Sequence, residues 1–403
     1  MATLTYETLS FHQTATELVV TLLRQFVTKI PLEEVEAIAP FTLIDEHTLS
    51  FDKINEEKAT IKFSQLLAKY FEYLHTKLTG NKAVYLHSNS GIPLIGHVAF
   101  GIVYRNSSII EIKPNNACNL DCVYCSISEG LSSKKTDFVI EKEYLLEELG
   151  KLIDFVGEVV EVHIGVQGEP FLYGDIDNLI TDLQAMKTVH TISIDTNGTL
   201  LSKERIDHLS KNTKLQLNLS LDAIDPQIAK EVAGVSNYNV EHVKNIISYA
   251  AQKINVIVAP VLTQGFNEEE MEKIILWIKT LPKQPKLGIQ NFLRYKTGRN
   301  PGPEMSWEKF YELLTSLEKK HNIKLQWDKD DFNVHETKEL PKPFHVGDVV
   351  SATIKSVDRY PKSVIAVAKD RMISVPNVSF KKDKRINVQI LRDKHNIFVG
   401  KEV

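Results

Sequence analysis

Between residues 109 and 321 the chain alternates short apolar runs with longer stretches in which apolar positions recur every three or four residues. That alternation marks strand and helix units repeated around a parallel sheet. The runs predict strands at Ile109–Lys113, Val159–Val166, Thr191–Thr196, Leu215–Leu221, Ile254–Leu262 and Leu287–Leu293. The periodic stretches predict helices at Glu143–Phe155, Ile176–Met186, Asn239–Gln252, Glu268–Leu281 and Trp307–His321. Six such units make an α/β fold with a partial (β/α)6 barrel of the TIM type. In folds of this kind reactive groups gather where strands end, so motifs at those ends carry most weight.

The flanks read differently. From Thr3 to Thr79, Leu18, Val19, Leu22, Leu23 and Phe26, and then Phe63, Leu66, Leu67, Tyr70 and Phe71, fall at helical spacing, which predicts a mainly helical N-terminal region. Between Ala83 and Lys113 the pattern becomes extended and Gly-punctuated, as in a small sheet. After Trp327 an acidic, Pro-marked stretch reads as a linker. Short apolar runs follow at Val349–Val357, Val364–Ala368, Met372–Val375, Asn387–Leu391 and Ile397–Val399, predicting a five-stranded OB-like β-barrel. The expected division is 1–107 helical with a small sheet, 108–327 partial barrel, 328–345 linker and 346–403 β-barrel.

Length supports this division, since 403 residues exceed what one core usually holds. A content of 43% hydrophobic and 25% charged residues is that of an ordinary globular protein. No apolar run approaches the roughly 20 residues that span a bilayer, and Met1 to Lys29 lacks a signal-peptide pattern, so a cytoplasmic location is expected. Charge changes the picture only in the tail. From Pro341 to Val403 there are 13 Lys and Arg against 6 Asp and Glu, in a chain whose net charge is −4. A basic appendage of this kind suits a polyanionic partner.

All 3 cysteines lie in one run, Cys118-Asn119-Leu120-Asp121-Cys122-Val123-Tyr124-Cys125, just after the first predicted strand of the barrel. They are too clustered to staple distant parts of the chain as disulfides. A cubane iron-sulfur cluster is normally held by four thiolates, so three would leave one iron open to a small molecule. A zinc site completed by His87, His97 or His163, or three unligated cysteines, are the competing readings.

This run resembles the cysteine motif of the radical S-adenosylmethionine (SAM) superfamily, and the resemblance extends over about 109–320. Gly165-Val166-Gln167-Gly168-Glu169-Pro170, ending the second strand, is similar to the superfamily's GGEP motif, with Gln167 in place of a glycine. The resemblance implies a 4Fe-4S cluster on Cys118, Cys122 and Cys125. It also implies a SAM site built from Gly168, Glu169, Pro170, Thr196, Asn197, Ser220, Asp222, Pro260 and Val261. SAM would chelate the open iron and be cleaved reductively to a 5'-deoxyadenosyl radical that takes a hydrogen from substrate, fed by an electron donor such as ferredoxin or flavodoxin. The basic segment Gln290–Arg299, at the last strand end, would suit an anionic substrate. No general acid or base stands out.

The tail resembles a TRAM domain, an RNA-binding barrel appended to RNA-modifying enzymes, through Gly347-Asp348-Val349-Val350, Ile373–Val378 and Arg385–Ile390. Lys355, Arg359, Lys362, Lys381, Lys382, Lys384 and Arg385 are then candidates for phosphate contacts. The combination also resembles a group of archaeal radical SAM proteins with TRAM domains. With no cysteines for a second cluster or for adenine methylation, the expected function is radical modification of a nucleoside in RNA, with tRNA the expected target. A peptide or small-metabolite substrate, with the tail as a docking module, and a non-catalytic RNA-binding iron-sulfur protein are the alternatives.

Overall fold

The computed structural model describes residues 1–165 and 167–403. Val166, which the sequence reading placed at the end of the second barrel strand and inside the GGEP-like motif, lies outside the described residues. Six parallel strands, Ile109–Lys113, Val160–Ile164, Val189–Thr196, Leu215–Leu219, Asn255–Val258 and Lys286–Leu287, lie side by side in chain order, and Gly101–Tyr104 closes the first edge antiparallel. This is the expected partial barrel. Its helices bury Ile110, Ile112, Val162, Ile164, Ile192, Ile194, Leu217, Leu219 and Val258 in one core with their own apolar sides.

The opposite strand face is polar. Glu111 is in register with His163, His163 with Ser193, Ser193 with Gln216, and Asp195 with Asn218. Strands of a parallel sheet covered on both faces read as nearly continuous apolar runs. Here the alternation gives the second face paired polar side chains.

The observed helices Lys142–Val156, Ile176–Ala185, Val240–Ala250, Glu268–Lys279 and Trp307–His321 match the sequence reading to within two residues at each end. Two more were missed. Lys203–Leu209 starts where the Ser202 hydroxyl accepts from the Arg205 amide. Pro226–Ala233 starts on the Asp225 carboxylate with Pro226 in its first turn, and ends on Gly234 at φ 70°. Both carry the usual start signals, a capping oxygen and, in one, a proline where no amide partner is needed.

The N-terminal region corrects the helical expectation. It contains a three-stranded sheet (Ala2–Thr5, Phe41–Asp45, Thr48–Phe51) and a four-stranded sheet (Leu9–Gln13, Glu17–Leu22, Phe26–Pro31, His75–Thr76), with one long helix, Glu56–Phe71. The physical reason lies in Glu17–Leu22. Leu18, Val20 and Leu22 are buried while the intervening residues are partly exposed, a period of two that a dense apolar run hides. Leu23 and Arg24, at φ 50° and 64°, then turn the chain into the paired strand Phe26–Pro31.

The tail forms a closed five-stranded barrel of Val349–Val357, Ser363–Ala368, Arg371–Pro376, Arg385–Arg392 and Phe398–Glu402. Its core includes Ile354, Val364, Ile373, Val388 and Phe398, together with Phe344 from the stretch read as a linker. That stretch is strapped to the first edge of the sheet. The Ser108 amide donates to the His335 carbonyl, the Thr337 amide to that of Asn106, and the Tyr104 hydroxyl to that of Lys338. Among the described residues no helix is long and apolar enough to cross a membrane.

Two outcomes test this architecture. If Glu17–Leu22 is a strand, Leu18→Ala and Val20→Ala each lower stability by roughly 2–5 kcal/mol, whereas Val19→Thr changes it by under about 1 kcal/mol; denaturant unfolding of the three variants measures this. Asp137 is buried, accepts a hydrogen bond from the Thr76 hydroxyl, and is pushed up to about 7 by that burial and by Glu129. An acid whose pKa is raised on folding costs stability as pH climbs from its unfolded value, about 4, through its folded one. Asp137→Asn is therefore expected to match the wild type near pH 4 and to exceed it in stability above pH 7.

Candidate active site

The cysteine loop follows the first parallel strand and has no regular structure, so its shape depends on what holds its backbone. The amides of Asp121 and Val123 donate to the last carbonyls of helix Pro226–Ala233, those of Ala233 (3.0 Å) and Val232 (3.0 Å). Arg299, in the loop after the last strand, donates to the carbonyls of Cys122 (3.1 Å) and Glu129 (2.9 Å) and to the Asp121 carboxylate (2.7 Å). One guanidinium thus spans three points of the loop. Arg299 was expected at the mouth facing an anionic substrate; the structure turns it inward.

Cys118, Cys122 and Cys125 all line one cavity of about 290 Å³ at the strand ends. Burial pushes the thiols of Cys118 and Cys122 up, so a cation is needed to hold them as thiolates. Three soft donors line this cavity, with no fourth cysteine in the chain, a donor set that would suit a cluster with one corner left to another ligand, although among the described residues no three His, Cys, Asp or Glu side chains stand gathered as a metal site. The zinc reading lacks its histidine. His87, His97 and His163 do not line the cavity, and His97 and His163 are engaged by Asp358 and Asp195, each at 3.1 Å.

Gly168, Glu169, Thr196, Asn197, Ser220, Asp222 and Val261 share this cavity, joined by Ala259, Asn218 and Tyr238. Pro170 and Pro260 do not line it. Pro170 opens a buried 3-10 turn, and the Pro260 carbonyl accepts from the Gln290 amide, so each shapes the wall from behind. At Gly168, with φ 78°, a Cβ would stand 2.8 Å from the Asn116 carbonyl carbon, which explains why this position is glycine.

Two buried carboxylates brace the strand ends. Glu169 accepts from the Thr196 hydroxyl (2.8 Å) and from the amides of Asn197 (2.8 Å) and Phe171 (3.0 Å), while burial pushes it up to about 7. Asp222 accepts from the Tyr124 hydroxyl (2.7 Å) and the Val261 amide (2.8 Å), and burial pushes it up to about 6. Asn119 ties the cysteine loop to the third strand end by accepting from the Asn197 amide group (2.9 Å) and donating to the Thr199 hydroxyl (2.8 Å). Gln290, Asn291, Phe292, Leu293 and Tyr295 form the opposite wall, while Arg294 and Lys296 point to solvent.

The sequence reading missed the polar network on the inner strand face. His163 contacts Ser193 Oγ (2.7 Å) and Asp195 (3.1 Å), and Ser193 in turn bonds Glu161. Burial alone would lower the His163 pKa, but Asp195 and Glu161 outweigh it and raise it. Lys113, fully buried, meets Glu111 at 3.2 Å, and Glu111 also pairs with Arg105. Desolvation holds the Lys113 ammonium far below its usual range. The signal was present in Glu111/Lys113, Glu161/His163, Ser193/Asp195 and Gln216/Asn218, polar pairs two apart in otherwise apolar strands.

Of the tail residues named for RNA, Arg359 is corrected. It is 2% exposed and ion-pairs with Glu129, itself a cavity residue, so its guanidinium is withdrawn from any phosphate. Lys362, Lys381 and Arg385 are exposed, whereas Lys355, Lys382 and Lys384 pair with Asp383, Glu72 and Glu402.

Comparison with known proteins gives a consistent result. The chain matches the radical SAM superfamily over residues 112–278. An uncharacterized protein of Methanocaldococcus jannaschii is 34% identical over 405 residues, covering 93% of this chain and 92% of that protein. GTP 3',8-cyclase of Limosilactobacillus fermentum is 27% identical over 177 residues, 43% of this chain and 52% of that enzyme, so the chain spans about half its length. Among solved structures, TYW1 with a lysine-pyruvate adduct bound aligns at a TM-score of 0.42 and 20% identity, over 60% of this chain and 82% of that one. SuiB of Streptococcus suis bound to S-adenosylmethionine aligns at 0.43 and 16% identity, over 80% of this chain and 72% of that one.

Proposed function

The chain belongs to the radical SAM superfamily, whose enzymes use a 4Fe-4S cluster and SAM, and from that premise we propose that it modifies a nucleoside in RNA, with tRNA as the target. The observation that carries the proposal is the convergence of all three cysteines on the cavity that Gly168, Glu169, Thr196, Asn197, Ser220, Asp222 and Val261 also line. Cys118, Cys122 and Cys125 hold the cluster. Bound together, cluster and SAM supply a 5'-deoxyadenosyl radical.

The chain's own residues orient and shield. The backbone at Gly168 and Glu169 faces the methionine end, the polar groups of Thr196, Asn197, Ser220 and Asp222 take the ribose and carboxylate, and Ala259 and Val261 offer an apolar wall to adenine. The exposed Lys362, Lys381, Lys382, Lys384 and Arg385 of the basic barrel grip the RNA backbone. An external ferredoxin or flavodoxin supplies the electron, in the cytoplasm.

A second reading, a small polar metabolite as substrate, is favoured by the polar strand face of Glu111, Lys113, His163 and Asp195, of which Asp195 lines the cavity, and by the likeness to GTP 3',8-cyclases. One set of anaerobic measurements tests the proposal and separates the two. Full-length protein with dithionite and SAM is expected to release 5'-deoxyadenosine, and Cys118→Ser to release none. The triple variant Lys362→Ala/Lys381→Ala/Arg385→Ala is expected to bind tRNA more weakly, with a salt dependence reduced by about one log-log unit per lost phosphate contact. No 5'-deoxyadenosine from the wild type overturns the enzymatic reading; unchanged tRNA binding by the triple variant favours the metabolite.

A further inference from the structure

The tail barrel does more than hang beside the catalytic domain. Its first and second strands are joined by the turn Asp358–Lys362, and that turn is inserted against the cysteine loop. Asp358 accepts from the Arg359 amide at 2.7 Å and meets His97 at 3.1 Å. His97 stacks on Phe100, with ring centroids 4.3 Å apart, and Phe100 stacks on Phe138 at 4.1 Å. The Thr136 amide donates to the Arg359 carbonyl at 3.0 Å. Held from both sides, the Arg359 side chain runs inward, donates to the Ile127 carbonyl at 3.3 Å and pairs with Glu129.

Both partners of that pair are 2% exposed, so each would stand as an uncompensated buried charge without the other. Glu129 is the link to the cavity. Its amide donates to Cys125 Sγ at 3.3 Å, its carbonyl accepts from Arg299, and its carboxylate also accepts from Asn116 at 3.1 Å. Asn116 in turn receives the Phe138 amide at 2.6 Å.

The geometry points to Arg359 as a positioning residue for the cluster-binding loop: the tail barrel fixes Glu129, and Glu129 fixes the hydrogen bond to the sulfur of Cys125. This rests on the reading of Cys125 as a cluster ligand. Hydrogen bonds to ligating sulfur and nearby charge set the potential of such a cluster. An Arg359–Glu129 pair beside it contributes little net charge, so loss of either member is felt as a charge of one sign.

The test uses the full chain in two states. In the metal-free protein, Arg359→Ala is expected to speed labelling of Cys125 by a thiol reagent at least about tenfold, since the loop loses a charge-assisted hydrogen bond, and Arg359→Lys to restore most of the protection. In anaerobically reconstituted protein at pH 8, Arg359→Ala leaves the Glu129 carboxylate unpaired and moves the reduction potential negative. Glu129→Gln, which keeps the shape and the backbone donor, leaves the guanidinium unpaired and moves it positive. A tenfold change in the reduction equilibrium, or 59 mV for one electron, is the size expected in each direction. Should Arg359→Ala fail to fold, Arg359→Gln, which removes the charge but keeps a polar side chain, takes its place beside Glu129→Gln. Wild-type labelling in the charge-removing Arg359 variant, or wild-type potential in that variant and in Glu129→Gln, overturns the inference, and a wild-type protein that binds no iron overturns the cluster reading while the labelling result still decides the role of Arg359.

Discussion

Everything in this protein that bears on chemistry depends on holding an irregular loop still. Three cysteines within eight residues line one cavity, and the segment that carries them has no helix or strand to fix it. The fold answers with partners from distant parts of the chain. The last carbonyls of helix Pro226–Ala233 take two amides, Arg299 takes two carbonyls and a carboxylate, Asn197 takes Asn119, and Asp222 takes the hydroxyl of Tyr124. Each contact gives a loop backbone or side-chain group a partner that no regular element supplies. The tail barrel is part of the same device through Arg359 and Glu129.

The polar side chains of the sheet follow a second constraint. Buried charges are costly unless paired, and the inner strand face carries Glu111, Lys113, Glu161, His163 and Asp195. They are matched in sets, Arg105 and Lys113 on Glu111, and His163 between Asp195 and the Ser193–Glu161 pair. An apolar filling would stabilise a barrel at lower cost. Asp195 and Asn218 carry that polar face into the cavity of the cysteines.

What could be read from the sequence was local. Strands Ile109–Lys113 and Val349–Val357 and helix Trp307–His321 match the structure end to end, because apolar period and capping residues are written in neighbouring positions. The cysteines were legible for the same reason. The N-terminal sheets were not, since Leu18-Val19-Val20-Thr21-Leu22 satisfies both a helical and an extended period when most positions are apolar. Nor were the roles of Arg299 and Arg359. Arg299 meets Asp121 at a separation of 178 residues and Arg359 meets Glu129 at 230, and nothing in the adjacent sequence distinguishes an arginine that turns inward from one that faces solvent. Gly168 reflects a close backbone approach, whereas the helix start written in Asp225-Pro226 was passed over.

The central claim is that Cys118, Cys122 and Cys125 grip a cluster at three corners and leave the fourth for SAM. Metal and sulfide analysis of the full chain purified without oxygen, combined with electron paramagnetic resonance of the dithionite-reduced protein before and after SAM is added, tests it most directly. The account predicts iron and sulfide in equal amounts and a reduced-cluster signal that changes shape when SAM binds the open iron. Zinc on the three thiolates, or a signal indifferent to SAM, would contradict it.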